Sequence, residues 1–417
     1  MYIKRKAEET VLKIARAFPV LLLTGPRQSG KTTLLSRLSE TRRSYVTLDD
    51  PEDRLFAKRE PSVFLERHSP PVTIDEIQYA PELLPYIKIY VDRHKNNGDF
   101  WLTGSRMFHT MKNVSESLAG RVGIVNLFGL SGGEISGNRF DAYSTDKDVL
   151  LERMKTAKPM TLPELFARIH RGGMPRLYEQ PDMDANDYFS SYLQTYISRD
   201  IRDLTQVADE LAFYRFLRIA AARTGSMVNY DALAREAEIS APTAKQWLSV
   251  LISSGLVALL EPYHVNAPKR TVKAPRMYFL DTGIAAHLTR WSDPRVLESG
   301  AMAGAFFETY VFSEIYKSFV NMGQTPPLYY YRDSNGREID LIIRKDGALY
   351  PIEIKKNANP VGATKHFGAP AAFKSGGGPG ETPPAFKPSM GTGNVICLTN
   401  EPRPIAGGHW TAPVWLI

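Results

Sequence analysis

Cysteine is nearly absent from this sequence, which contains Cys397 and no other thiol in 417 residues. One thiol excludes an internal disulfide and cannot build a thiolate metal site by itself, which fits a reducing, cytoplasmic compartment. A run of about 18 apolar residues is also missing, so no membrane span is predicted. The basic amino terminus leads into an amphipathic segment instead of an uninterrupted apolar one, so no secretory signal is expected.

The overall composition is that of an ordinary globular protein. Hydrophobic residues make up 43% of the sequence and charged residues 23%, and the length allows several domains with cores of their own. The net charge of +7 permits binding to nucleic acid or to another acidic surface, but it demonstrates neither.

The strongest motif is an apolar strand that leads into a glycine-containing loop. The apolar residues 20–24 are followed by GPRQSGKT at 25–32, which has the form G-x-x-x-x-G-K-T, and then by a helix start. A strand, this loop and a helix in that order are typical of a P-loop. The predicted nucleotide-binding residues are Gly25, Pro26, Arg27, Gln28, Ser29, Gly30, Lys31, Thr32 and Thr33.

The chemistry of this loop assigns a role to each key residue. Gly25 and Gly30 let consecutive N–H groups turn inward at the positive end of the following helix, where they bind an anion. Lys31 is predicted to reach the β- and γ-phosphates of ATP, and the Thr32 hydroxyl to supply an oxygen to Mg²⁺. We therefore expect ATP and ADP as ligands and Mg²⁺ as the cofactor.

Two later apolar strands end in polar residues. The first ends in Asp75, predicted to hold Mg²⁺ together with Thr32, and Glu76, predicted to orient or deprotonate the attacking water. The second ends in Thr103 and Ser105, which are suited to sense the γ-phosphate. Each strand alone could be an ordinary sheet strand with a polar end, but together with the P-loop they form a catalytic set.

Strands and helices alternate up to about residue 130, and this pattern predicts a mostly parallel sheet covered on both faces. The predicted elements include a helix over 2–17 and a short strand over 44–48. Ligands of such sheets lie at the carboxyl ends of the strands, where Thr24, Asp75 and Thr103 are expected to meet.

Arg121 lies shortly after the strand that ends in Ser105. One interpretation is an arginine finger, which stabilises transition-state charge in the same subunit or in a neighbour. The other is a simple ion pair with a surface carboxylate.

The segment 213–263 predicts three helices. The helices over 228–237 and 241–253 are separated by a short turn and form a helix-turn-helix, while 256–260 and 276–280 are expected to be the two strands of a wing. In DNA binding the second helix would present Thr243, Lys245, Gln246 and Ser249, and phosphate contacts would come from Lys269, Arg270, Lys273 and Arg276 in the wing. Winged helices also bind proteins, so both uses stay open.

The carboxyl-terminal part carries a second candidate site. Glu308 lies on a predicted helix, Asp340 on a strand, and Glu353 and Lys355 on the same side of the next strand. This constellation resembles the PD-(D/E)xK nuclease fold, in which Asp340 and Glu353 would hold a second divalent metal and Lys355 would activate water. The alternative is a cross-strand ion pair on a polar sheet face. Residues 357–394 are rich in Gly and Pro, and a flexible loop is expected there.

The motifs GPRQSGKT at 25–32, DEIQ at 75–78, LTGS at 102–105 and SLAGR at 117–121 resemble those of prokaryotic AAA-type ATPases with a C-terminal DUF4143 domain. RGGMP at 171–175 and YLQTYISRDI at 192–201 extend the resemblance over nearly the whole chain. It implies ATP binding and a hydrolase-type core. Arg199, in the last motif, either reaches the nucleotide at a subunit boundary or belongs to an ion-paired, solvated helix face.

The predicted fold class is α/β, with an AAA-type P-loop sheet followed by a winged-helix module and an α/β nuclease-like domain. The expected divisions are an ATPase core over 1–135, a helical lid or linker over 136–208, a winged helix-turn-helix over 209–285 and the DUF4143 domain over 286–417.

Three functions compete at this point. The first is an ATPase that couples nucleotide state to a DNA-facing carboxyl-terminal module, as a homo-oligomer such as a ring, because a finger supplied in trans needs a neighbour. The second is a nucleotide-switched regulator that recruits another protein. The third is a metal-dependent DNA nuclease gated by ATP.

Overall fold

A computed structural model describes residues 2–39, 41–104, 114, 117–196, 210–263, 274–370 and 388–417. The helices in these ranges are α1 (Ala7–Ala17), α2 (Lys31–Leu38), α3 (Pro51–Arg59), α4 (Pro61–Arg67), α5 (Leu83–His94), α6 (Gly132–Ile135), α7 (Lys147–Met154), α8 (Leu162–Arg171), α9 (Pro175–Glu179), α10 (Ala185–Tyr196), α11 (Glu210–Ala222), α12 (Tyr230–Ala237), α13 (Ala241–Ser253), α14 (Thr282–Leu288), α15 (Pro294–Ser299) and α16 (Ala303–Asn321). None of these helices combines the length and the apolar character that a membrane span requires.

The strands in the same ranges are β1 (Val20–Thr24), β2 (Ser44–Thr47), β3 (Val72–Asp75), β4 (Phe100–Gly104), β5 (Val122–Asn126), β6 (Val257–Pro262), β7 (Arg276–Phe279), β8 (Leu328–Arg332), β9 (Glu338–Lys345), β10 (Ala348–Lys355), β11 (Ser389–Met390), β12 (Asn394–Cys397), β13 (Pro404–Ile405) and β14 (His409–Pro413). They form two sheets, one in each half of the chain.

The first sheet is parallel throughout and has the order β2-β3-β4-β1-β5, which confirms the predicted sheet. Successive side chains of β1 point to opposite faces. Leu22 packs in the core on one face and Leu21 and Leu23 in the core on the other. Because all the strands run the same way, Thr24, Asp75 and Thr103 lie at one edge of the sheet, as expected.

Helix α1 is shorter than the predicted helix over 2–17 and begins only at Ala7. The preceding residues are held by tertiary contacts that a helix would break. The amide of Lys6 donates to Glu134 Oε1 at 2.7 Å, and the Arg5 side chain bonds to carbonyl oxygens of two distant segments. The tertiary contacts thus prevail over the local helical pattern.

The helical middle of the chain contains the two helices predicted for a helix-turn-helix. Asn229 caps α12 through the amide of Ala232, Ser240 caps α13 through the amide of Thr243, and residues 238–240 form the turn. Trp247 of α13 packs edge-on against Phe213 and Phe216 of α11.

The two strands predicted next to these helices form an antiparallel pair, β6 with β7, in which Val257 lies opposite Phe279. On its other side β6 pairs in parallel with β8 through Glu261 and Pro262, so this hairpin is continuous with the carboxyl-terminal sheet. The predicted division between 285 and 286 falls inside α14.

The second sheet is mixed and has the order β13-β14-β12-β10-β9-β8-β6-β7, with β11 paired to β10. One face shares a large core with α8, α10, α11 and α16, and the other face carries a smaller core that includes Phe367 and the buried Cys397. Phe367 anchors part of the glycine- and proline-rich segment, of which residues 371–387 lie outside the described ranges.

The loop that contains Gly172 and Gly173 is joined to the start of α14 by Asp281. Its carboxylate caps α14 by accepting from the amides of Gly283 and Ile284, and its second oxygen accepts from the Gly173 amide at 2.9 Å. Gly172 has a φ of +71°, and a Cβ there would collide with Asp281. Burial raises the pKa of Asp281, while these amides oppose that rise.

We expect Asp281→Ala to lower the free energy of unfolding by about 2–4 kcal/mol, because a helix cap is lost and several amides lose their acceptor. Asp281→Asn should lose less, because its amide oxygen can still cap α14. Thermal and urea unfolding of both variants measure this. Equal stability of Asp281→Ala and the wild type would contradict the assignment.

Candidate functional site

Two glycines give the P-loop its conformation. Gly25 has a φ of +149°, and a Cβ at this position would collide with the carbonyl oxygen of Leu127. Gly30 has a φ of +91° and caps the amino end of α2 in the left-handed region. Positive φ values of this kind favour glycine, so the loop depends on both residues.

Lys31 is the first residue of α2 and its ammonium lies over the loop. Its Nζ donates to the carbonyl oxygens of Gly25 at 3.0 Å and Pro26 at 2.9 Å, and the residue is 6% exposed. The buried Ser29 hydroxyl has no hydrogen-bond partner in the part of the chain that the structure describes. The helix amino terminus and the ammonium together form a site that fits phosphate groups.

Three hydroxyl groups form hydrogen bonds to the Asp75 carboxylate at the edge of the first sheet. Thr32 Oγ1 lies 3.1 Å and 3.2 Å from its two carboxylate oxygens, the Tyr45 hydroxyl donates to it at 2.9 Å, and the Thr103 hydroxyl is also bonded to it. Burial and the nearby charge of Asp75 raise the pKa of Tyr45, so that phenol stays a donor. The structure therefore brings Thr32, Asp75 and Thr103 together.

Glu76 follows in a left-handed turn with a φ of +58°. Its amide donates to Thr103 Oγ1 at 3.1 Å, and its carboxylate accepts from the Gln78 side chain. Thr103 thus contacts both acidic residues of the motif.

The residues at this edge fit Mg²⁺. Thr32 and Asp75 supply a hydroxyl and a carboxylate within 3.2 Å of each other, and Mg²⁺ prefers oxygen ligands of these kinds. They lie at the start of α2, beside the loop that would hold the phosphates.

A cavity of about 600 Å³ adjoins the loop. Its walls include P-loop residues and Glu76, the amino-terminal residues Tyr2 and Arg5, and Arg176 and Glu179 of α9. The volume is in the range of small-molecule and cofactor sites. The region after the first sheet therefore contributes to the wall of the same cavity as the P-loop.

Arg5 is a site residue that sequence reasoning missed. It is 3% exposed, its Nε lies 3.2 Å from Glu134, and its other nitrogens donate to the carbonyl oxygens of Ser29 at 2.9 Å and Phe128 at 2.7 Å. These partners are 24 to 129 residues away in sequence, so no local pattern points to them. Tyr45 was missed because its partner Asp75 lies on the neighbouring strand.

Arg121 forms an ion pair with a surface carboxylate, as the second of its two interpretations predicts. Its Nε and a terminal nitrogen lie 2.5 Å and 3.0 Å from the two oxygens of Asp92 on α5, and this hydrogen bonding lowers the pKa of Asp92. It precedes β5, whose carboxyl end is the one that lies next to the P-loop. The length of β5 separates Arg121 from that edge by about 16 Å, so it does not approach the P-loop of its own chain.

Several predicted residues lie outside the described ranges: Ser105, Arg199, Lys269, Arg270 and Lys273. Of the predicted contacts on α13, Lys245, Gln246 and Ser249 are exposed, and Thr243 is half-buried with its hydroxyl 2.7 Å from Ser240.

The residues predicted for the second candidate site also lie close together. Lys355 Nζ lies 2.7 Å from Glu353 and 3.5 Å from Asp340, and the Ile354 amide donates to Asp340 at 3.0 Å. Glu308 reaches the same place from α16, where it accepts a hydrogen bond of 2.6 Å from Tyr278. Burial and the charge of Asp340 raise the pKa of Glu353 to about 7.

An arginine that sequence reasoning had placed elsewhere completes this site. Arg276 was expected among the phosphate contacts of the wing, but it is 9% exposed and its NH1 lies 3.1 Å from Glu308 and 3.8 Å from Asp340. It also pairs with Glu338. The prediction failed because nothing local in sequence shows that this end of β7 faces the half-buried carboxylates of α16 and β9.

The expected ligands of a second divalent metal form ion pairs in this structure. The described ranges contain no group of three or more His, Cys, Asp or Glu residues that could hold a metal ion. Arg276 and Lys355 already pair with the carboxylates that were the expected ligands.

Three family models match successive parts of the chain. Residues 17–136 match the model of an AAA domain, 162–295 that of a domain of unknown function, DUF8612, and 303–417 that of another, DUF4143. Among solved structures, the Walker-type ATPase paby2304 of Pyrococcus abyssi is similar with a TM-score of 0.42 and 16% identity, over 69% of this chain and 96% of that one.

Two curated relatives align over most of the chain. The uncharacterized proteins Rv2008c of Mycobacterium tuberculosis and Mb2031c of Mycobacterium bovis are each 30% identical over 360 residues, which is 86% of this chain and 75% of theirs. With its P-loop, Asp75 and Thr103 at one edge of a parallel sheet, and with these matches in the same order, the chain belongs to the family of AAA-domain P-loop proteins that carry a carboxyl-terminal DUF4143 domain.

Proposed function

We propose that this protein binds ATP with Mg²⁺, hydrolyses it, and passes its nucleotide state to the carboxyl-terminal domain. The observation that carries the catalytic part is the meeting of Thr32, Asp75 and Thr103 beside the Lys31 ammonium. P-loop chemistry needs these groups together, because hydrolysis requires both neutralised phosphate charge and a positioned water.

Each residue has a role in this proposal. Lys31 exchanges its loop carbonyls for the β- and γ-phosphates. Bound Mg²⁺, held by Thr32 and Asp75, supplies charge neutralisation to the phosphate oxygens. Glu76 takes a proton from the water that attacks the γ-phosphorus, the bond to the bridging oxygen breaks, and ADP and phosphate leave.

We also propose a homo-oligomer. In this proposal Arg121 exchanges Asp92 for the nucleotide of a neighbouring subunit, because it lies about 16 Å from the P-loop edge of its own sheet. The finger role of Arg121, and the alternative use of Arg199, both place a nucleotide at a subunit boundary.

We expect Glu76→Gln to keep ATP binding and to slow hydrolysis about 10²–10⁴-fold, the usual contribution of a catalytic base. Lys31→Ala should lose nucleotide binding. The matched control is Glu152→Gln, an exposed carboxylate on α7 outside the cavity, which should hydrolyse ATP at the wild-type rate. Phosphate release and nucleotide binding measure this, and Glu76→Gln with wild-type turnover would refute the assignment.

The coupling begins at Arg5. This residue bonds to Ser29 in the P-loop, to Phe128 just after β5, and to Glu134 of α6. When a buried guanidinium loses one of its partners, the folded state loses free energy of stabilisation, because a polar group is left unpaired away from water. In this proposal, a shift of the P-loop on nucleotide binding therefore moves the segment 128–134.

The next link is α16. Lys317 donates to the carbonyl oxygen of Leu130 at 3.0 Å, and Glu314 accepts from the Gly132 amide at 2.6 Å. Lys317 and Glu314 also pair with each other, at 5% and 4% side-chain exposure. Because α16 also carries Glu308, it connects the nucleotide edge to the second candidate site.

We expect ATP binding to change hydrogen exchange along α16 in the Glu76→Gln protein, which retains ATP. Adding Glu314→Gln and Lys317→Met should reduce that change several-fold, while ATP binding persists. Neutralising both partners avoids a buried unpaired charge.

The matched control for this experiment is Glu152→Gln with Lys155→Met, an ion pair of the same spacing at the carboxyl end of α7, with side chains 70% and 68% exposed. It should leave the exchange of α16 unchanged. An α16 that is indifferent to ATP in the Glu76→Gln protein itself would contradict the coupling.

For the partner of the carboxyl-terminal half we propose DNA, bound by the winged helix formed by α11–α13 and the β6–β7 hairpin. The exposed side chains of Lys245, Gln246 and Ser249 on α13 support this. Recruitment of a protein is the second candidate, favoured by the single cation on that helix face and by the burial of Arg276. We propose no cleavage chemistry, because the required carboxylates are paired with Arg276 and Lys355.

We expect the full chain to bind duplex DNA with an affinity that falls steeply with salt, and DNA to stimulate ATP hydrolysis. Lys245→Ala should reduce the salt slope by about 1, as loss of one phosphate contact does. Lys147→Ala, an exposed lysine on α7, is the control and should change nothing. Absence of DNA binding by anisotropy, or binding that ignores salt, would favour the protein partner.

A further inference from the structure

We infer that Arg276 is the resident cation of the carboxylate cluster, defined here as Glu308, Glu338, Asp340 and Glu353, and that it excludes a divalent metal from it. The inference goes beyond the proposed function, because it concerns what occupies the second site and does not depend on ATP hydrolysis.

The guanidinium contacts the cluster with two of its nitrogens. NH1 lies 3.1 Å from Glu308 Oε1 and 3.8 Å from Asp340 Oδ1, and NH2 pairs with Glu338. These carboxylates come from α16 and β9, so one side chain neutralises charge from two elements. A planar guanidinium with several fixed donors suits this better than a compact ammonium.

Arg276 is held in this position by the fold. Its backbone pairs with Leu260 in β6 and forms an isolated bridge with Met227. The centre of the guanidinium lies 5.2 Å from the ring centre of Tyr330, and the Tyr278 hydroxyl bonds to the same Glu308 oxygen as Arg276 does. The guanidinium is therefore positioned from several sides and is not a surface side chain that folds over the cluster.

The carboxylate cluster needs a cation because its negatively charged groups repel one another. With Glu308, Glu338, Asp340 and Glu353 gathered at 13 to 33% side-chain exposure, repulsion between carboxylates is weakly screened. Lys355 is bonded to Glu353 and Asp340 on one side of the cluster, and Arg276 to Glu308, Asp340 and Glu338 on the other. With Arg276 in place, the described residues contain no group of three or more carboxylates arranged to hold a metal ion. Removal of Arg276 frees the oxygens of Glu308, Glu338 and Asp340 to close around a hard divalent cation, which prefers oxygen ligands.

The test is Mn²⁺ binding to the full chain without nucleotide, measured by electron paramagnetic resonance. All proteins carry Asp75→Asn, so that the P-loop edge does not contribute. The parent should show no Mn²⁺ binding that depends on Asp340. Arg276→Met should gain one Mn²⁺ per chain, bound at least tenfold more tightly than by the parent, and adding Asp340→Asn should abolish it.

Two controls separate charge from position. Arg276→Lys keeps the charge and should not gain the site. Arg332→Met removes another arginine near Glu338, at 3.9 Å, and should leave Mn²⁺ binding as in the parent.

Either of two results overturns the inference: Mn²⁺ binding by the parent that Asp340→Asn abolishes, or no gain in a folded Arg276→Met protein. Circular dichroism checks folding. If Arg276→Met does not fold, Arg276→Gln replaces it in the same titration, and the parent with and without Asp340→Asn still decides whether a metal displaces Arg276.

Discussion

The arrangement of this protein depends on the hydrogen bonds and the ion pair that the buried Arg5 guanidinium forms. It bonds at once to the P-loop, to the segment after β5 and to Glu134. A charge with this little exposure is tolerated only when its partners satisfy it, so their relative positions are fixed together. The same segment is held from the other side by Glu314 and Lys317 of α16. The first sheet and the carboxyl-terminal half therefore meet through polar contacts of defined geometry, beside which Phe128 packs on Tyr316 of α16.

The distribution of cores agrees with this view. The first sheet has an apolar core on each face, whereas α8, α10, α11–α14, α16 and much of the second sheet share a single one. A close-packed interior has low compressibility, because its side chains have few alternative arrangements. When one part of it is displaced, the whole shifts together. In the proposed coupling, the second half moves as a unit, and the contacts around residues 130–132 and Asp281 link it to the nucleotide edge.

Sequence was sufficient wherever the chemistry is local. The P-loop, Asp75, Thr103 and the helix-turn-helix elements could be predicted, because strand patterning, caps and loop composition lie within a few residues of one another. Arg5, Tyr45 and Arg276 could not be assigned, since their partners are brought to them only by the tertiary fold. The start of α1 at Ala7 was missed for the same reason: the residues before it are determined by Glu134.

Strand β6 is shared between two neighbours, antiparallel to β7 and parallel to β8. A chain that ended before β8 would leave backbone groups of β6 unpaired and open a sheet edge of the kind that promotes aggregation. The helix-turn-helix and the DUF4143 segment are consequently not interchangeable modules. A rearrangement that breaks the chain between them would have to preserve this strand pairing and the carboxylate partners of Arg276.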